Sequence, residues 1–460
     1  AAIEPPVWAG LIARHCLNRG FSVEILDAEA LNLTVEETAA MINDIAPRLA
    51  AFAVYGQQPS ASTQCMPAAL AVDALVESSI PTAALGTHPS ALPEQTLHEG
   101  FDYVVKGEGH KTTAQLLACA PANVRDIQGL YMRVEDDVIT GGAHSLAHSL
   151  DNELPRQVHH LLNMTKYRAH NWHLWTGDPA GGYASVQTSL GCSFGCSFCC
   201  INAPFGGRGI RFWSPANTAA QIANIVNQYG ITNIKIPDEM FCLSPQHVHQ
   251  ICNMLIDMGL GNKLNMWAYA RIDTVKDEHL LARMRQAGFR WLGLGIESGS
   301  KMVRDGVAKG RFKDEDIFAA VARVRKAGIC VGANYIFGLP DDTHESMQQT
   351  LGMACEINAE WANFYCAMAY PGSPLHTQVS RENPSALPEN NPCGWLGYAQ
   401  HAQETRPLPT ETLRAGEVLA FRDEAFVQYF SRPEYQNKIR NTFGEHAVAG
   451  VERLLALGKP

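Results

Sequence analysis

The sequence has no long apolar run, no excess of basic residues and no regular cysteine framework. No window reaches the ~18–20 consecutive apolar residues that a membrane-spanning helix needs. Only 18% of the 460 residues are charged, and 36 Lys plus Arg against 46 Asp plus Glu give a net charge of −10. Such an acidic chain lacks the broad cationic surface that attracts nucleic acids and anionic membranes. We therefore expect neither a nucleic-acid partner nor a membrane.

The 13 cysteines are odd in number and irregularly spaced except at one place. This argues against the disulfide framework of a small secreted protein. The amino terminus also shows no basic segment followed by an apolar stretch and a cleavage site, so we expect a cytoplasmic location. The chain starts at Ala1 without Met and enters at once on Pro5, Pro6 and a helix. We therefore expect a preceding strand to be missing.

A chain of this length that is 46% hydrophobic is expected to form two or three domains. Up to residue 122, strand-like and helix-like runs alternate, which is typical of a parallel sheet covered by helices. Strands are predicted at 21–27, 49–55, 81–85 and 103–105, and helices at 7–19, 34–45 and 66–78. We expect a Rossmann-like domain over 1–122 and an interdomain connector, opening with a hairpin near 129–133, over 123–182.

The alternation resumes at residue 183. Strands are predicted at 183–190, 231–236, 264–270, 291–296, 330–337 and 361–369, with helices between them. Six strand–helix repeats predict a partial (β/α)6 barrel of the TIM type, because a closed barrel has eight. The sequence therefore predicts an α/β fold, with the barrel over 183–375 and a helical region over 376–460.

One cysteine cluster follows the first predicted barrel strand. Cys192, Cys196 and Cys199 have the spacing C-x3-C-x2-C in a loop that contains glycine. Soft thiolates select iron–sulfur clusters or zinc, and three ligands on a cubic cluster leave its fourth iron open. The alternative is a structural zinc knuckle with Cys200 as the fourth ligand. It is disfavoured because adjacent cysteines project in different directions and no second C-x2-C pair follows.

With Phe198 before its last cysteine, this motif resembles that of the radical S-adenosylmethionine (SAM) superfamily. The resemblance implies that Cys192, Cys196 and Cys199 bind a 4Fe-4S cluster, and that SAM chelates the open iron through its amine and carboxylate. One electron from an external donor, such as flavodoxin or ferredoxin, then cleaves SAM to methionine and a 5′-deoxyadenosyl radical. The resemblance also implies that Phe198 packs near the adenine.

Further barrel segments resemble the SAM-contacting motifs of the same family. Pro237-Asp238-Glu239 takes the place of a Gly-Gly-Glu motif, which leaves open whether Asp238 or Glu239 holds the SAM amine. Arg271, after the third strand, would pair with the SAM carboxylate, since Arg suits a bidentate geometry. The remaining implied SAM contacts are Glu297 and Ser298 near the ribose, and Phe337 and Gly338 at the adenine.

The amino-terminal domain resembles the cobalamin-binding domain of the cobalamin-dependent radical SAM subgroup, through Glu4-Pro5-Pro6 and the segments 86–89 and 105–109. No Asp-x-His-x-x-Gly motif supplies a cobalt ligand. We therefore expect cobalamin with a displaced tail and no His on cobalt, its lower face covered by the loop 55–62. The alternative is a domain without cobalamin or with another nucleotide. The implied cobalamin contacts, at the carboxyl ends of the strands, are Tyr55, Gln57, Thr87, His88, Gly107 and Glu108.

The connector contains four histidines without metal-ligand spacing, and we expect them to be solvated or hydrogen-bonded rather than to bind a metal. They are His159, His160, His170 and His173. No second cysteine set follows the barrel, so an auxiliary cluster is not expected.

Together the resemblances imply a methyltransferase that acts on a small-molecule substrate. One SAM would methylate cobalamin, and a second would yield the radical that takes a hydrogen atom from the substrate. The substrate radical would then collect the methyl of methylcobalamin at an unactivated carbon, or at phosphorus. An alternative enzyme is an oxidative cyclase or ring-rearranging enzyme of the magnesium-protoporphyrin ester type. An alternative of another class is a non-catalytic cobalamin or iron–sulfur sensor.

Overall fold

The computed structural model describes residues 2–56, 61–119, 121–135, 137–310 and 312–457. Gln57, one of the expected cobalamin contacts, lies outside these ranges. Within them, no helix combines the length and the apolar content needed to cross a membrane. The strands are β1 (Ala50–Val54), β2 (Thr82–Gly86), β3 (Tyr103–Val105), β4 (Leu130–Val134), β5 (Asp137–Thr140), β6 (Tyr183–Ser185), β7 (Ser189–Leu190), β8 (Arg211–Phe212), β9 (Asn233–Ile236), β10 (Asn265–Arg271), β11 (Phe289–Glu297), β12 (Cys330–Phe337) and β13 (Trp361–Cys366).

The helices lie on the faces of the sheets and at the carboxyl-terminal end of the chain. They are α1 (Val7–Leu17), α2 (Ala28–Leu31), α3 (Val35–Ile45), α4 (Met66–Asp73), α5 (Thr87–Ala91), α6 (Pro93–Glu99), α7 (His110–Ala118), α8 (Leu150–Glu153), α9 (Asn171–Leu174), α10 (Pro215–Tyr229), α11 (Pro245–Asp257), α12 (Glu278–Ala287), α13 (Lys301–Gly306), α14 (Asp314–Lys326), α15 (His344–Ile357), α16 (Pro374–Glu382), α17 (Ala415–Ser431), α18 (Pro433–Phe443) and α19 (Glu445–Ala456).

The first sheet has the order β1-β2-β3-β4-β5. Strands β1 to β3 are parallel, whereas β4 and β5 form the predicted hairpin and add to β3 in the antiparallel direction. The sheet thus takes in the beginning of the expected connector. The predicted strand over 21–27 is wrong. These residues pair with no strand of the described chain, and Phe21 and Val23 only pack against the edge of the core.

The second sheet has the order β13-β12-β11-β10-β9-β6, and all of its neighbouring pairs are parallel. This confirms the predicted partial barrel. Its helices begin and end where the sequence signals them. In α10, for example, Ser214 accepts a hydrogen bond from the Asn217 amide, Pro215 occupies the first turn, and Gly230 ends the helix in the left-handed conformation. A separate antiparallel pair, β7-β8, flanks residues 191–210, which contain Cys192, Cys196 and Cys199 and are called the cysteine loop below.

The connector closes the amino-terminal end of the barrel with aromatic side chains. Trp172 packs edge-on against Trp267 and Trp291, with ring centroids 5.1 and 4.9 Å apart. The Trp291 indole donates a hydrogen bond of 2.7 Å to Thr176. Trp267 and Trp291 lie near the first residues of β10 and β11. This aromatic cluster is therefore at the opposite end of the barrel from the carboxyl ends of the strands, where barrel sites form.

The first residues of the chain also insert into the barrel. The Lys235 side chain, on β9, is 3% exposed, and its Nζ lies 2.9 and 3.1 Å from the two carboxylate oxygens of Glu4. The Tyr183 hydroxyl donates a further hydrogen bond of 3.0 Å to Glu4. Ile3 pairs with Arg168 as an isolated β-bridge. The segment around Glu4 therefore neutralises a lysine inside the barrel.

Several histidines are buried without charge, which predicts acid sensitivity. Burial lowers the pKa of His88, His110 and His173 to about 3 and that of His159 to about 4. Above pH 6.5 these histidines are largely neutral in both the folded and the unfolded chain, so they leave the free energy of unfolding unchanged. As the pH falls below 6.5, the unfolded chain binds protons that the folded chain cannot, so stability falls by up to ~1.4 kcal/mol per pH unit per histidine.

His173 allows this expectation to be measured one group at a time. Between pH 6.5 and pH 5, the wild type should lose up to ~2 kcal/mol more stability than His173→Asn. Urea unfolding at a series of pH values gives this difference. His279→Asn, at an exposed position, should follow the wild-type slope. Equal slopes for wild type and His173→Asn would contradict the prediction.

Candidate functional site

A cavity of about 620 Å³ lies at the carboxyl ends of the barrel strands. Arg271 and Glu297 are the last residues of β10 and β11, and both line it. The amino-terminal domain contributes Ala61 and Gln64 to the same wall. The cavity is therefore bounded by both domains, and its remaining wall includes Cys192, Phe194, Cys196, Phe198, Cys199, Cys200, Glu239, Tyr269, Lys309, Asn334, Tyr365, Cys366, Tyr370 and residues 399–402.

Hydrogen bonds within the cysteine loop hold its first cysteine in place. The amide of Gly209 donates to the Cys192 carbonyl at 3.1 Å, and the Asn202 side chain bonds both the amide and the carbonyl of Cys192. Gly191 has φ +88, and a Cβ there would lie 2.5 Å from the Gly209 carbonyl oxygen, so this turn requires glycine. The first cysteine is thereby held at the cavity wall.

The donor set fits a cluster better than a single metal ion. In the described ranges, no three His, Cys, Asp or Glu side chains converge closely enough to hold one ion. A zinc site needs four ligands around one point, so the zinc-knuckle alternative finds no support. The thiolates of a cubic cluster each bind a different iron and need not converge. Cys192, Cys196 and Cys199 share one cavity wall, as such a cluster requires.

Asp238 and Glu239 have different surroundings. Asp238 accepts hydrogen bonds from the Thr188 amide (2.7 Å), the Thr188 hydroxyl (2.6 Å) and the Ser189 hydroxyl (2.5 Å). It thus fastens β7, the strand that leads into the cysteine loop. Glu239 lines the cavity instead, and burial raises its pKa to about 7. Of the two carboxylates that the sequence left open, Glu239 is the one that faces the cavity.

Lys309 is a site residue that the sequence analysis missed. It lines the cavity, and its ammonium pairs with the Glu297 carboxylate at 2.5 Å in a buried contact. No motif marks it in the sequence. Tyr365 and Tyr370 were missed as well, although Tyr365 lies near the end of β13 and Tyr370 follows the last predicted barrel strand. That position is the signal that could have indicated them.

Besides Asp238, three further expected SAM contacts do not line the cavity. The Ser298 hydroxyl lies 3.1 Å from that of Thr350, and the Gly338 amide donates to Asp342 at 3.0 Å. Phe337 packs edge-on against Phe421, with ring centroids 4.9 Å apart. These three residues pack behind the residues that line the cavity, at the carboxyl ends of β11 and β12. Phe198, in contrast, lines the cavity directly.

The expected cobalamin contacts that directly follow β1 and β2 are half-buried or buried side chains at the domain junction. The Tyr55 ring lies 4.8 Å from that of Trp8. Thr87 and His88 begin α5 and are almost wholly buried. His88 Nδ1 lies 3.3 Å from the Thr63 hydroxyl, and its ring packs edge-on against Trp395 at 4.5 Å. None of these side chains lines the cavity within the described residues.

Gly107 and Glu108, after β3, contact the connector and the β7-β8 pair. Glu108 accepts a 2.6 Å hydrogen bond from the Ala147 amide and pairs with Arg211 at 2.5 Å. A Cβ on Gly107 would overlap the His144 ring at 2.5 Å. The structure therefore places both residues at the packed junction between the sheet and the barrel, away from the cavity.

Comparison with known families agrees with this two-part site. The profile of the radical SAM superfamily matches residues 186–354, and that of the B12 binding domain matches residues 1–117. The chain carries a B12-binding domain and a radical SAM domain. The predicted pairing of these domains is thus confirmed, and the chain is a radical SAM enzyme. The radical SAM match begins just after β6 and takes in the cysteine loop.

Relatives and solved structures align along most of the chain. An uncharacterized methyltransferase of Pyrococcus horikoshii is 28% identical over 98% of this chain and 94% of its own length. The anaerobic magnesium-protoporphyrin IX monomethyl ester cyclase of Cereibacter sphaeroides is 24% identical over 82% of this chain and 60% of its own. The radical SAM methyltransferase TsrM of Kitasatospora setae, solved with cobalamin and a 4Fe-4S cluster, superposes with a TM-score of 0.68 at 16% identity, covering 92% of this chain and 89% of TsrM. At that identity the superposition shows the shared fold alone.

Proposed function

We propose that this radical SAM enzyme is a cobalamin-dependent methyltransferase that methylates an unactivated carbon, or phosphorus, of a small molecule. The observation that carries the proposal is the single cavity walled by the cysteine loop, by Glu239, Arg271 and Glu297, and by Ala61 of the B12-binding domain. The methyltransferase name of the Pyrococcus relative, which aligns over nearly the whole chain, supports it. When bound, the cluster, SAM and cobalamin supply radical generation and a transferable methyl group.

Different residues of the cavity would bind different parts of the cofactors. Cys192, Cys196 and Cys199 would hold the cluster through three thiolates. Glu239, once ionised, would accept hydrogen bonds from the SAM amine, and Phe198 would offer an apolar face to the adenine. The B12-binding domain would present the corrinoid from the side of Ala61, without a histidine on cobalt. His88 fits that expectation, because its ring is held between Thr63 and Trp395.

Residues 399–402 of the carboxyl-terminal region form one wall of the cavity. Gln400 accepts a hydrogen bond of 2.9 Å from the Cys366 amide and donates one of 2.9 Å to the Cys366 carbonyl. It donates another, of 3.1 Å, to the Tyr370 hydroxyl. These bonds fix residues 399–402 at the edge of the last barrel strand. Excluding water and holding the target atom in place is what the protein must contribute to radical chemistry.

Anaerobic incubation with methyl-labelled SAM and a strong reductant tests the proposal without knowledge of the substrate. A methyltransferase should release 5′-deoxyadenosine and move the label into the bound corrinoid. Release of 5′-deoxyadenosine without label in the corrinoid would favour a radical cyclase, the activity named for the Cereibacter relative. A sensor would yield neither product, and that result would refute the enzymatic proposal.

Glu239→Gln should weaken SAM binding at least tenfold, since a neutral amide accepts hydrogen bonds from the SAM amine less well than a carboxylate does. Because burial raises the pKa of Glu239 to about 7, the wild-type affinity should fall as the pH drops from 8 to 6. Equilibrium dialysis of the cluster-loaded protein measures both effects. Asp238→Asn is the comparison. It should lower stability by ~1–3 kcal/mol through its lost acceptor at β7 and should leave that pH dependence in place.

A further inference from the structure

The Arg271 guanidinium is fully engaged before any ligand binds. Its side chain is 4% exposed. One edge forms a bidentate pair with Asp273, with Nε to Oδ1 at 3.0 Å and Nη2 to Oδ2 at 3.2 Å. Nη2 also donates to the backbone carbonyl of Lys309. The Nε–Nη2 edge, one of the two edges that can hold a carboxylate with two parallel hydrogen bonds, is therefore already occupied, and the Lys309 carbonyl takes Nη2 on the other edge.

The remaining nitrogen points at the cysteine loop. Nη1 lies 3.6 Å from Sγ of Cys196, within the distance of an N–H···S hydrogen bond. The guanidinium carbon lies 3.9 Å from the centre of the Phe194 ring, midway between Cys192 and Cys196 in the sequence. Arg271 thus ties the end of β10 to the middle of the loop, by one polar contact and one stacked contact.

We propose that Arg271 acts on the cluster through Cys196, fixing this ligand and making the cluster easier to reduce, rather than serving mainly as a partner of the SAM carboxylate. This inference rests on the proposed function, because it needs the cluster to be present. Reduction adds one negative charge to the cluster. A buried cation that donates an N–H to a ligating sulfur stabilises that charge, and hydrogen bonds to cluster sulfurs are a recognised control of the reduction potential.

Redox titration of the reconstituted protein, followed by electron paramagnetic resonance without SAM, tests the proposal. Arg271→Gln should make the cluster harder to reduce by at least about tenfold in the reduced-to-oxidised ratio at a fixed potential, or ~59 mV for one electron. Arg271→Lys keeps the charge but loses the planar set of guanidinium N–H donors, so we expect a smaller shift of the reduction potential in the same direction. Iron content and circular dichroism confirm that each variant is loaded and folded.

A matched control lies on the same loop. The Arg208 guanidinium packs directly over Gly195, so that a Cβ there would lie 2.2 Å from its central carbon. Arg208 is exposed to solvent, which screens its charge. Arg208→Gln should therefore leave the potential at the wild-type value. A shift as large as that of Arg271→Gln would mean that any cation near the loop suffices, and it would overturn the specific role of Arg271.

The competing role gives a different pattern. If Arg271 mainly binds the SAM carboxylate, Arg271→Gln will keep the wild-type potential without SAM and lose SAM affinity in equilibrium dialysis, which overturns the proposal. Should Arg271→Gln fail to retain iron, Arg271→Lys decides, since it keeps the charge but loses the planar group that donates to Cys196. A lowered potential in Arg271→Lys supports the proposal, and an unchanged potential overturns it. A wild type that binds no iron would instead refute the proposed function.

Discussion

Replacing Cys192, Cys196 or Cys199 with Ala, one at a time, should abolish both cluster binding and turnover. The loop around Cys192 is fixed by Gly209 and Asn202, so it cannot shift to recruit another ligand in place of a lost thiolate. Iron should fall from about four atoms per chain to near zero after anaerobic reconstitution, and the visible absorption of the cluster should disappear. Iron and sulfide analysis and the yield of 5′-deoxyadenosine measure these losses.

Cys200 supplies the control for this experiment. It neighbours Cys199 and is 2% exposed at the same cavity wall, but the C-x3-C-x2-C spacing does not include it. Cys200→Ala should therefore keep the iron content of the wild type. Loss of metal from Cys200→Ala, together with zinc in place of iron in the wild type, would support the zinc-knuckle alternative. It would also remove the basis of the proposed function.

Breaking the Glu4–Lys235 pair should give the largest loss of stability. Glu4→Ala would remove the carboxylate that contacts the Lys235 ammonium, whose side chain is 3% exposed, and removing one partner of a buried pair costs about 3–5 kcal/mol. The Tyr183 hydroxyl would lose its acceptor at the same time. Urea unfolding followed by circular dichroism measures the decrease in the free energy of unfolding.

Removing both charges should reverse most of this loss. In Glu4→Ala/Lys235→Met neither charge of the pair remains, and apolar replacements of buried ion pairs are often neutral or stabilising. The double variant should therefore unfold at a higher urea concentration than Glu4→Ala. If the double variant is as unstable as the single one, the lost stability comes from the packing of the segment 2–6 rather than from the uncompensated lysine.

Local sequence patterns were enough to predict the two domains and the six barrel strands, whereas the cysteine ligand set stays a prediction. The spacing of Cys192, Cys196 and Cys199 lies within eight residues, and strand–helix alternation is also a short-range signal. The predicted strand over 21–27 shows the limit of such signals. A strand needs a partner, and a partner is a property of the tertiary fold.

The details of the site depend on contacts that the sequence does not display. Asp238 and Glu239 are neighbours of the same charge, yet one is held by Thr188 and the other faces the cavity, because the chain turns between them. Lys309 meets Glu297 only through the fold of the segment between them. The same holds for His88, whose burial against Trp395 joins parts of the chain that are 307 positions apart.

The position of Glu4 bears on how such enzymes can be recombined. A chimera joined near residue 122 would take the B12-binding domain from one relative and the barrel from another, and would separate Glu4 from the lysine that it neutralises. Glu4 lies within the stretch that matches the B12 binding domain, yet its side chain contacts Tyr183 and Lys235 of the barrel. A working chimera would therefore need to inherit its opening residues and its barrel from the same parent.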